Sequence, residues 1–203
     1  MKKFVSEIAV SFFFTSLFVL LFYFFLEPSV NKGILLINSI SIKESAKIVK
    51  EEYDFQNRRL INYPAYGTKY GTIKIPSINV EMAVYHGDTK KILMMGIGHY
   101  TGSYFPGEGG TIIYAGHNDI GYLASLEKIK LNDLITIETT YGIFNYQVYD
   151  VKIVKETDLR AFSVQNEEEI LAIYTCFPIN RNILGRRVER MIVYAKRVID
   201  EEA

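Results

Sequence analysis

The amino-acid sequence predicts a mainly β protein, a barrel or sandwich with short helices, preceded by a transmembrane helix. The N-terminus carries a long uncharged run, whereas short apolar stretches separated by turn residues fill the chain from Gly71 onward. Closely spaced strands with few long helical patterns are typical of all-β architectures. With 203 residues, of which 49% are hydrophobic, the chain can bury one substantial core.

The first element is an uncharged run of 19 residues, 8–26. This is close to the roughly 20 residues that a helix needs to cross a bilayer core. A cleaved signal peptide is the alternative, but no alanine occurs between Ala9 and Ala46 to form a small-residue cleavage site. We therefore expect residues 1–27 to form a cytoplasmic tip and an uncleaved transmembrane anchor.

Residues 28–66 are predicted to link the anchor to the globular part. From Ser41 to about Asn57, apolar residues recur near helical spacing among lysines and glutamates, which predicts an amphipathic helix. This helix is either a spacer or a cover for part of a functional surface. A proline and a glycine then indicate a boundary near residue 66, so that residues 67–203 form the β domain.

Eight segments of residues 67–203 have the pattern of β-strands. They begin at Gly71, Val80, Gly96, Thr111, Leu134, Ile143, Ile170 and Arg187. The sequence TTYGIF predicts a hairpin turn between the fifth and the sixth, and short helices are expected in DTKKILMM and YLASLEKI.

The charge balance excludes one class of partner. The chain has 23 lysines and arginines and 23 aspartates and glutamates. Nucleic-acid binding requires a concentrated basic surface, so no nucleic-acid partner is expected.

Cys176 is the only cysteine of a chain that we expect to be exported. A single thiol cannot form an internal disulfide, so the usual stabilising reason for cysteine outside the cell is missing. Three interpretations remain: a buried inert thiol, an intermolecular bridge or a nucleophile.

Two further residues could act with this thiol. His117 ends an apolar predicted strand, as Cys176 does, and Arg190 lies in the last predicted strand. A thiol becomes a good acyl-transfer nucleophile when an imidazole or a cation favours its thiolate, and the developing oxyanion then needs a donor. Singly, however, each residue type is more often structural or solvated.

No metal site is expected from the histidines and the cysteine. The residues in question are His86, His99, His117 and Cys176. Their spacing matches no known ligand pattern. The acidic run at 167–169 is interpreted as a solvated face, with calcium binding as the less favoured alternative, because calcium needs several converging oxygens.

Three segments resemble the signatures of the sortases, the cysteine transpeptidases of Gram-positive cell surfaces. They are YAGH at Tyr114–His117, YTC at Tyr174–Cys176 and ERMIVYAK at Glu189–Lys196. The family pattern TLxTC departs here to AIYTC, with Thr175 kept. Longer stretches are most similar to class D, and the resemblance covers about Gly71 to Val198.

The resemblance implies an eight-stranded β-barrel with Cys176 at the end of the seventh strand and Arg190 in the eighth. Cys176 would attack the threonine carbonyl of an LPxTG-like sorting signal and form a thioacyl enzyme. His117 would protonate the departing amine, and Arg190 would hold the substrate and stabilise the oxyanion. Arg186 and Arg187 are alternatives to Arg190, which the alignment of ERMIVYAK favours.

Two residues next to the predicted catalytic ones complete the predicted site, and the resemblance also implies the partners. Thr175 and Asp119 are candidate substrate contacts, and Asp119 could alternatively orient His117. No cofactor is expected. The implied partners are surface proteins with LPxTG-like signals and a lipid II-type peptidoglycan-precursor amine, and the implied location is the cell membrane, single-pass, with the catalytic domain extracellular.

Two other functions stay open at this point. One is a thiol peptidase that hydrolyses surface peptides, and the other is a non-catalytic, membrane-tethered β-barrel adaptor. A pilin-polymerising enzyme is disfavoured, because the sequence has neither a second hydrophobic span at its C-terminus nor an aspartate-proline-aromatic motif before the β domain.

Overall fold

The computed structural model describes residues 10–23, 30, 33, 53–54, 56–178 and 188–198. Ten strands occur in these residues and are numbered β1 to β10 in chain order. They are Tyr53–Asp54, Arg59–Leu60, Lys69–Ile75, Val80–His86, Ile97–His99, Thr111–Ala115, Leu134–Thr139, Ile143–Lys155, Ile170–Phe177 and Glu189–Val198.

Strands β3 to β10 form a closed barrel in the order β10-β8-β7-β3-β4-β5-β6-β9. The pairs β4–β5 and β6–β9 are parallel, and the other neighbours are antiparallel. The predicted eight-stranded barrel is therefore confirmed. Strand β5 is shorter than predicted, because the chain turns after His99, where the Ser103 amide bonds the Tyr100 carbonyl at 3.0 Å.

Short helices connect the strands. An α-helical turn at Lys90–Leu93 and a 3₁₀ helix at Leu123–Lys128 confirm the two predicted helices, and further 3₁₀ turns occur at Pro76–Ile78 and Leu159–Phe162. Thr89 caps the N-terminus of the Lys90–Leu93 turn, because its hydroxyl accepts a hydrogen bond from the Ile92 amide.

Residues 10–23 at the N-terminus are helical. None of the helices in the described ranges is long and apolar enough to cross a membrane. The predicted anchor, residues 8–26, lies partly outside those ranges, and residues 41–52 of the predicted amphipathic helix lie wholly outside them.

The prediction that this amphipathic helix continues to Asn57 is wrong. Strand β1 instead pairs with β2 in a small hairpin. The Asp54 carboxylate accepts bonds from the amides of Gln56 and Asn57, which closes a turn in competition with the helix. The hairpin packs on the barrel, since Leu60 is fully buried in the main core and the Tyr53 hydroxyl donates to the Gly107 carbonyl at 2.7 Å.

Glu169 is not on a solvated face, as the sequence suggested, but is only 4% exposed. One carboxylate oxygen accepts bonds from the Gly107 amide and the Tyr146 hydroxyl, and the other from the Gly109 amide and the Arg58 guanidinium. A buried carboxylate is tolerated when donors surround it in this way. Glu169 therefore ties the β1–β2 hairpin and the 105–110 loop to the start of β9.

Alternation along β9 decides which way the site faces. Leu171 and Ile173 point into the main core of the barrel, whereas Ala172 and Tyr174 belong to a smaller apolar layer on the outer face. Because successive side chains of a strand point to opposite faces, Cys176 shares the outer face with Tyr174.

His99 is a fully buried histidine of the barrel interior. Its Nε2 donates to the Tyr104 carbonyl, so Nδ1 accepts the bond from the Tyr70 hydroxyl, which in turn contacts the Tyr114 hydroxyl. Burial lowers the pKa of His99 from 6.5 to about 3, and the charge of His86 adds to the decrease.

We expect His99 to make the protein acid-sensitive. The unfolded state binds this proton below pH 6.5 and the folded state only near pH 3, so the stability contributed by neutral His99 is lost as the pH falls through that window. The His99→Gln variant cannot titrate there. Its free energy of unfolding should therefore depend less on pH than that of the wild type, by about 1.4 kcal/mol per pH unit below 6.5.

Urea denaturation at several pH values measures this difference. The slope is the readout, because loss of the buried hydrogen bonds lowers the stability of His99→Gln at every pH. Equal slopes for the two proteins would show that His99 is not the titrating group.

Candidate active site

The candidate nucleophile Cys176 lies near the end of β9, between strands β6 and β10. On one side, the antiparallel register places Cys176 directly opposite Arg190. On the other side, the last parallel pair is Ala115 with Tyr174, and the Gly116 amide continues this ladder by donating to the Tyr174 carbonyl at 3.1 Å. Continued in the same register, His117, which follows the end of β6, falls beside Cys176. The register thus brings the three predicted residues into one row, formed by β10, β9 and the segment after β6.

Two reciprocal hydrogen bonds hold the histidine and cysteine segments in this register. The Thr175 hydroxyl donates to the carbonyl of Gly116, the residue before His117, at 2.8 Å. The Asn118 amide group, one residue after His117, donates to the Cys176 carbonyl at 2.7 Å. Each segment therefore fixes the backbone of the other next to its functional residue.

This arrangement revises the role suggested for Thr175 as a substrate contact. Thr175 is 1% exposed, and its hydroxyl donates a hydrogen bond to the Gly116 carbonyl within the barrel wall. Strand alternation points the side chain inward, away from the face that carries Cys176. Thr175 positions the backbone instead of presenting its side chain to the groove.

Asn118 was missed by the sequence analysis. Its side chain is buried, and its amide group also reaches the Pro178 carbonyl at 3.3 Å. Its place next to His117 is the only sequence signal for this role, and asparagine beside a turn is too common to be informative.

The imidazole of His117 is half-buried at the entrance to a loop. The ring packs edge-on against Tyr122, with 5.7 Å between ring centroids, and the His117 carbonyl accepts a bond from the Leu123 amide. Burial lowers the pKa of His117, while the Asp119 carboxylate raises it and the Lys90 ammonium lowers it. The neutral imidazole is thus favoured by burial, and two charges of opposite sign adjust the balance.

Asp119 has a structural function beside its charge. Its backbone carbonyl accepts bonds from the amides of Tyr122 and Ala124, which begins the turn before the Leu123–Lys128 helix. The Asp119 side chain acts on His117 through its charge.

The opposite signs of these two charges give a matched test. Asp119→Asn should lower the pKa of His117 further, because the carboxylate that favours the imidazolium is removed. Lys90→Gln should raise it, because a repelling cation is removed. NMR titration of the imidazole resonances measures both shifts, and a shift of the same sign in both variants would contradict this account of the site.

Arg190 lies in β10 with its guanidinium beside a groove. One terminal nitrogen donates to the Glu189 carbonyl and the other to the Glu156 carboxylate, each at 2.8 Å. The groove has a volume of about 420 Å³. It is lined by Glu156, Thr157, Phe162, Tyr174 and Arg190.

Glu156 is the second residue that the sequence analysis missed. It follows Val154 by two positions, and Val154 pairs with Arg190 across β8 and β10. A diagonal neighbour in an antiparallel pair lies within reach of a long side chain. The spacing of Glu156 from Val154 is visible in the sequence, but its closeness to Arg190 follows only once β8 and β10 are known to be neighbours.

The other sequence candidates lie elsewhere. Arg186 and Arg187 fall outside the described residues. Within the described part of the chain, no group of three or more His, Cys, Asp or Glu residues has the geometry to hold a metal ion. His86 and His99 pair at the C-terminal ends of β4 and β5. His86 lines a larger groove of about 750 Å³, which shares no lining residue with the groove beside Arg190.

Chemically, the row suits acyl transfer. A thiol lies between an imidazole, which can take and return protons, and a guanidinium, which can stabilise an oxyanion. The groove beside Arg190 borders this row, because Tyr174, which lines it, shares the outer face of β9 with Cys176.

Comparison with known proteins agrees with this chemistry. The family model for the sortase domain matches residues 73–198. Sortase D of Bacillus subtilis is 32% identical over 155 residues, which cover 76% of this chain and 77% of that protein.

Among solved structures, a sortase D5 transpeptidase of Clostridium perfringens superposes with a TM-score of 0.60 at 26% identity, covering 67% of this chain and 82% of that one. Sortase C1 of Streptococcus agalactiae also gives a TM-score of 0.60, at 27% identity, covering 66% of this chain and 69% of that one.

Proposed function

Because the chain belongs to the sortase family of cysteine transpeptidases, we propose that it cleaves an LPxTG-like sorting signal after threonine and transfers the new carboxyl end to a peptidoglycan-precursor amine. The observation that carries this proposal is the row of Cys176 between His117 and Arg190 beside an open groove.

In the first half-reaction, the Cys176 thiol gives its proton to His117, and the sulfur attacks the threonine carbonyl carbon. The scissile C–N bond then breaks, and His117 gives a proton to the departing amine. The thioacyl enzyme keeps the N-terminal part of the substrate as a thioester.

In the second half-reaction, the amine of a lipid II-type precursor attacks this thioester. His117 accepts the proton of the attacking amine, the C–S bond breaks, and the Cys176 thiolate is released. In both steps, the guanidinium of Arg190 stabilises the negative charge on the carbonyl oxygen.

We further propose that the chain acts at the outer surface of the cell membrane, held by residues 8–26 as a single-pass anchor. The length and the lack of charge of this run support the proposal. Clients of this enzyme would be surface proteins that carry the sorting signal. No cofactor enters the proposed chemistry.

The test uses the full chain in detergent and a small library of LPxT-type peptides. Mass spectrometry should detect a thioacyl adduct on Cys176 whose mass corresponds to the peptide cut after threonine. An added amine, such as a diaminopimelate or a short glycine peptide, should convert the product from the free acid to the amide. A product that stays the free acid at saturating amine would identify a hydrolase instead, and the absence of any adduct would contradict the proposed substrate class.

A further inference from the structure

Arg190 and Glu156 form a side-chain contact in the site that the proposed mechanism does not use. The two groups are 2.8 Å apart, and their side chains are only 19% and 21% exposed. A charge-assisted hydrogen bond of this length in a partly buried place is stronger than a surface ion pair.

The backbone fixes this pair. The Glu156 amide donates to the Val188 carbonyl at 2.8 Å and so extends the β8–β10 ladder by one residue. Arg190 is paired with Val154 on one side and with Cys176 on the other. The Glu156 carboxylate, the Arg190 guanidinium and the Cys176 thiol therefore lie on one face of the barrel wall, where β8, β10 and β9 are neighbours.

We propose that Glu156 is a positioning and charge-balancing residue for Arg190, an inference that deepens the proposed transpeptidase function and rests on it. The carboxylate holds one terminal nitrogen of the guanidinium in the groove, while the other is held by the Glu189 carbonyl. The remaining N–H groups of the planar fork are thereby oriented as a unit. The carboxylate also offsets the positive charge that would otherwise favour the Cys176 thiolate.

Several other charged or titratable groups lie beside Cys176 or act on its neighbours Tyr174 and His117, and they stay unchanged in the variants that test this proposal. They are Tyr174 on β9, Glu189 and Arg190 on β10, His117 and Asp119 after β6, Asp88 and Lys90 after β4, and Tyr100 after β5.

The first experiment follows the pH dependence of alkylation of Cys176 by iodoacetamide, which requires no peptide substrate. Glu156→Gln keeps an oxygen that can accept from Arg190 but removes the negative charge. The midpoint pH of alkylation should fall by several tenths of a pH unit to about one unit. Glu167→Gln, which removes an exposed carboxylate at the far end of β9, is the matched control and should leave the midpoint unchanged.

The second experiment separates positioning from charge. Glu156→Ala removes the acceptor altogether, so Arg190 loses its orientation, and kcat for transfer should fall about 10- to 100-fold, with a smaller change in KM. Glu156→Gln should retain clearly more of kcat, because the acceptor is restored. Thermal unfolding of each variant establishes that the barrel is intact.

An alkylation midpoint that is the same in Glu156→Gln and wild type, or that moves equally in Glu167→Gln, overturns the charge-balancing role. Equal kcat values for the Gln and Ala variants overturn the positioning role. Since alkylation needs only the thiol, a failure of the proposed peptide substrate leaves the first test valid, and the two failures are distinguishable.

Discussion

Replacing Cys176 by alanine is expected to abolish both thioacyl formation and transfer, with a loss in kcat of about 10⁴-fold or more. The sulfur is the group to which the acyl chain is bonded, and alanine has no atom that can take its place. The substitution lies on the outer face of β9 beside the groove, so the barrel core is not disturbed.

Chemical modification of Cys176 in the wild-type protein tests the same prediction without a substitution. Cys176 is the single cysteine, so iodoacetamide treatment of the wild type should modify this thiol alone and cause the same loss. Mass spectrometry gives the extent of modification, and residual transfer can be compared with the unmodified fraction. Transfer that persists in Cys176→Ala at more than about one-hundredth of the wild-type rate would exclude a covalent mechanism through this residue.

The barrel strands were predictable from the sequence because their signal is local. Alternation along β3, β4, β7 and β8, with a turn residue or a proline at the ends, is sufficient to place a strand whatever it pairs with. The β1–β2 hairpin was not predictable in this way. Its residues follow a helical periodicity, and the contacts that hold it as a hairpin, such as Leu60 in the core and Arg58 with Glu169, come from distant parts of the chain.

The same distinction applies to the site. Cys176 and His117 stand out because their types and positions at strand ends suggest chemistry, and the resemblance of ERMIVYAK to the family signature adds Arg190. The roles of Thr175, Asn118 and Glu169 depend on which segments become neighbours in space, and a threonine, an asparagine or a glutamate carries no such information in sequence. From sequence, Thr175 is a candidate substrate contact, Glu169 belongs to a solvated face and Asn118 has no expected role, whereas the structure uses their polar atoms to fix the backbone.

Removing the guanidinium of Arg190 is the second change for which we expect a large effect. Arg190→Ala should lower kcat about 10²- to 10³-fold, which is typical of the loss of one oxyanion donor. Arg190→Lys should recover little of this, because a single ammonium cannot reproduce the fork that bonds Glu156 and the Glu189 carbonyl together. Single-turnover measurement of acylation with an LPxT-type peptide isolates the step in which the charge first develops.

Arg186→Ala and Arg187→Ala are the matched controls, since each removes the same group from the same region of the chain. The resemblance of ERMIVYAK to the family signature favours Arg190 over both of them, and the register sets Arg190 opposite Cys176. Both variants are expected to lose less kcat than Arg190→Ala, and any effect should be mainly on KM, as for a uniform loss of binding. If one of them instead caused the largest loss in kcat, that arginine would be the oxyanion donor. In that case the pairing of Arg190 with Glu156 would serve the stability of the β8–β10 pair and not the chemistry.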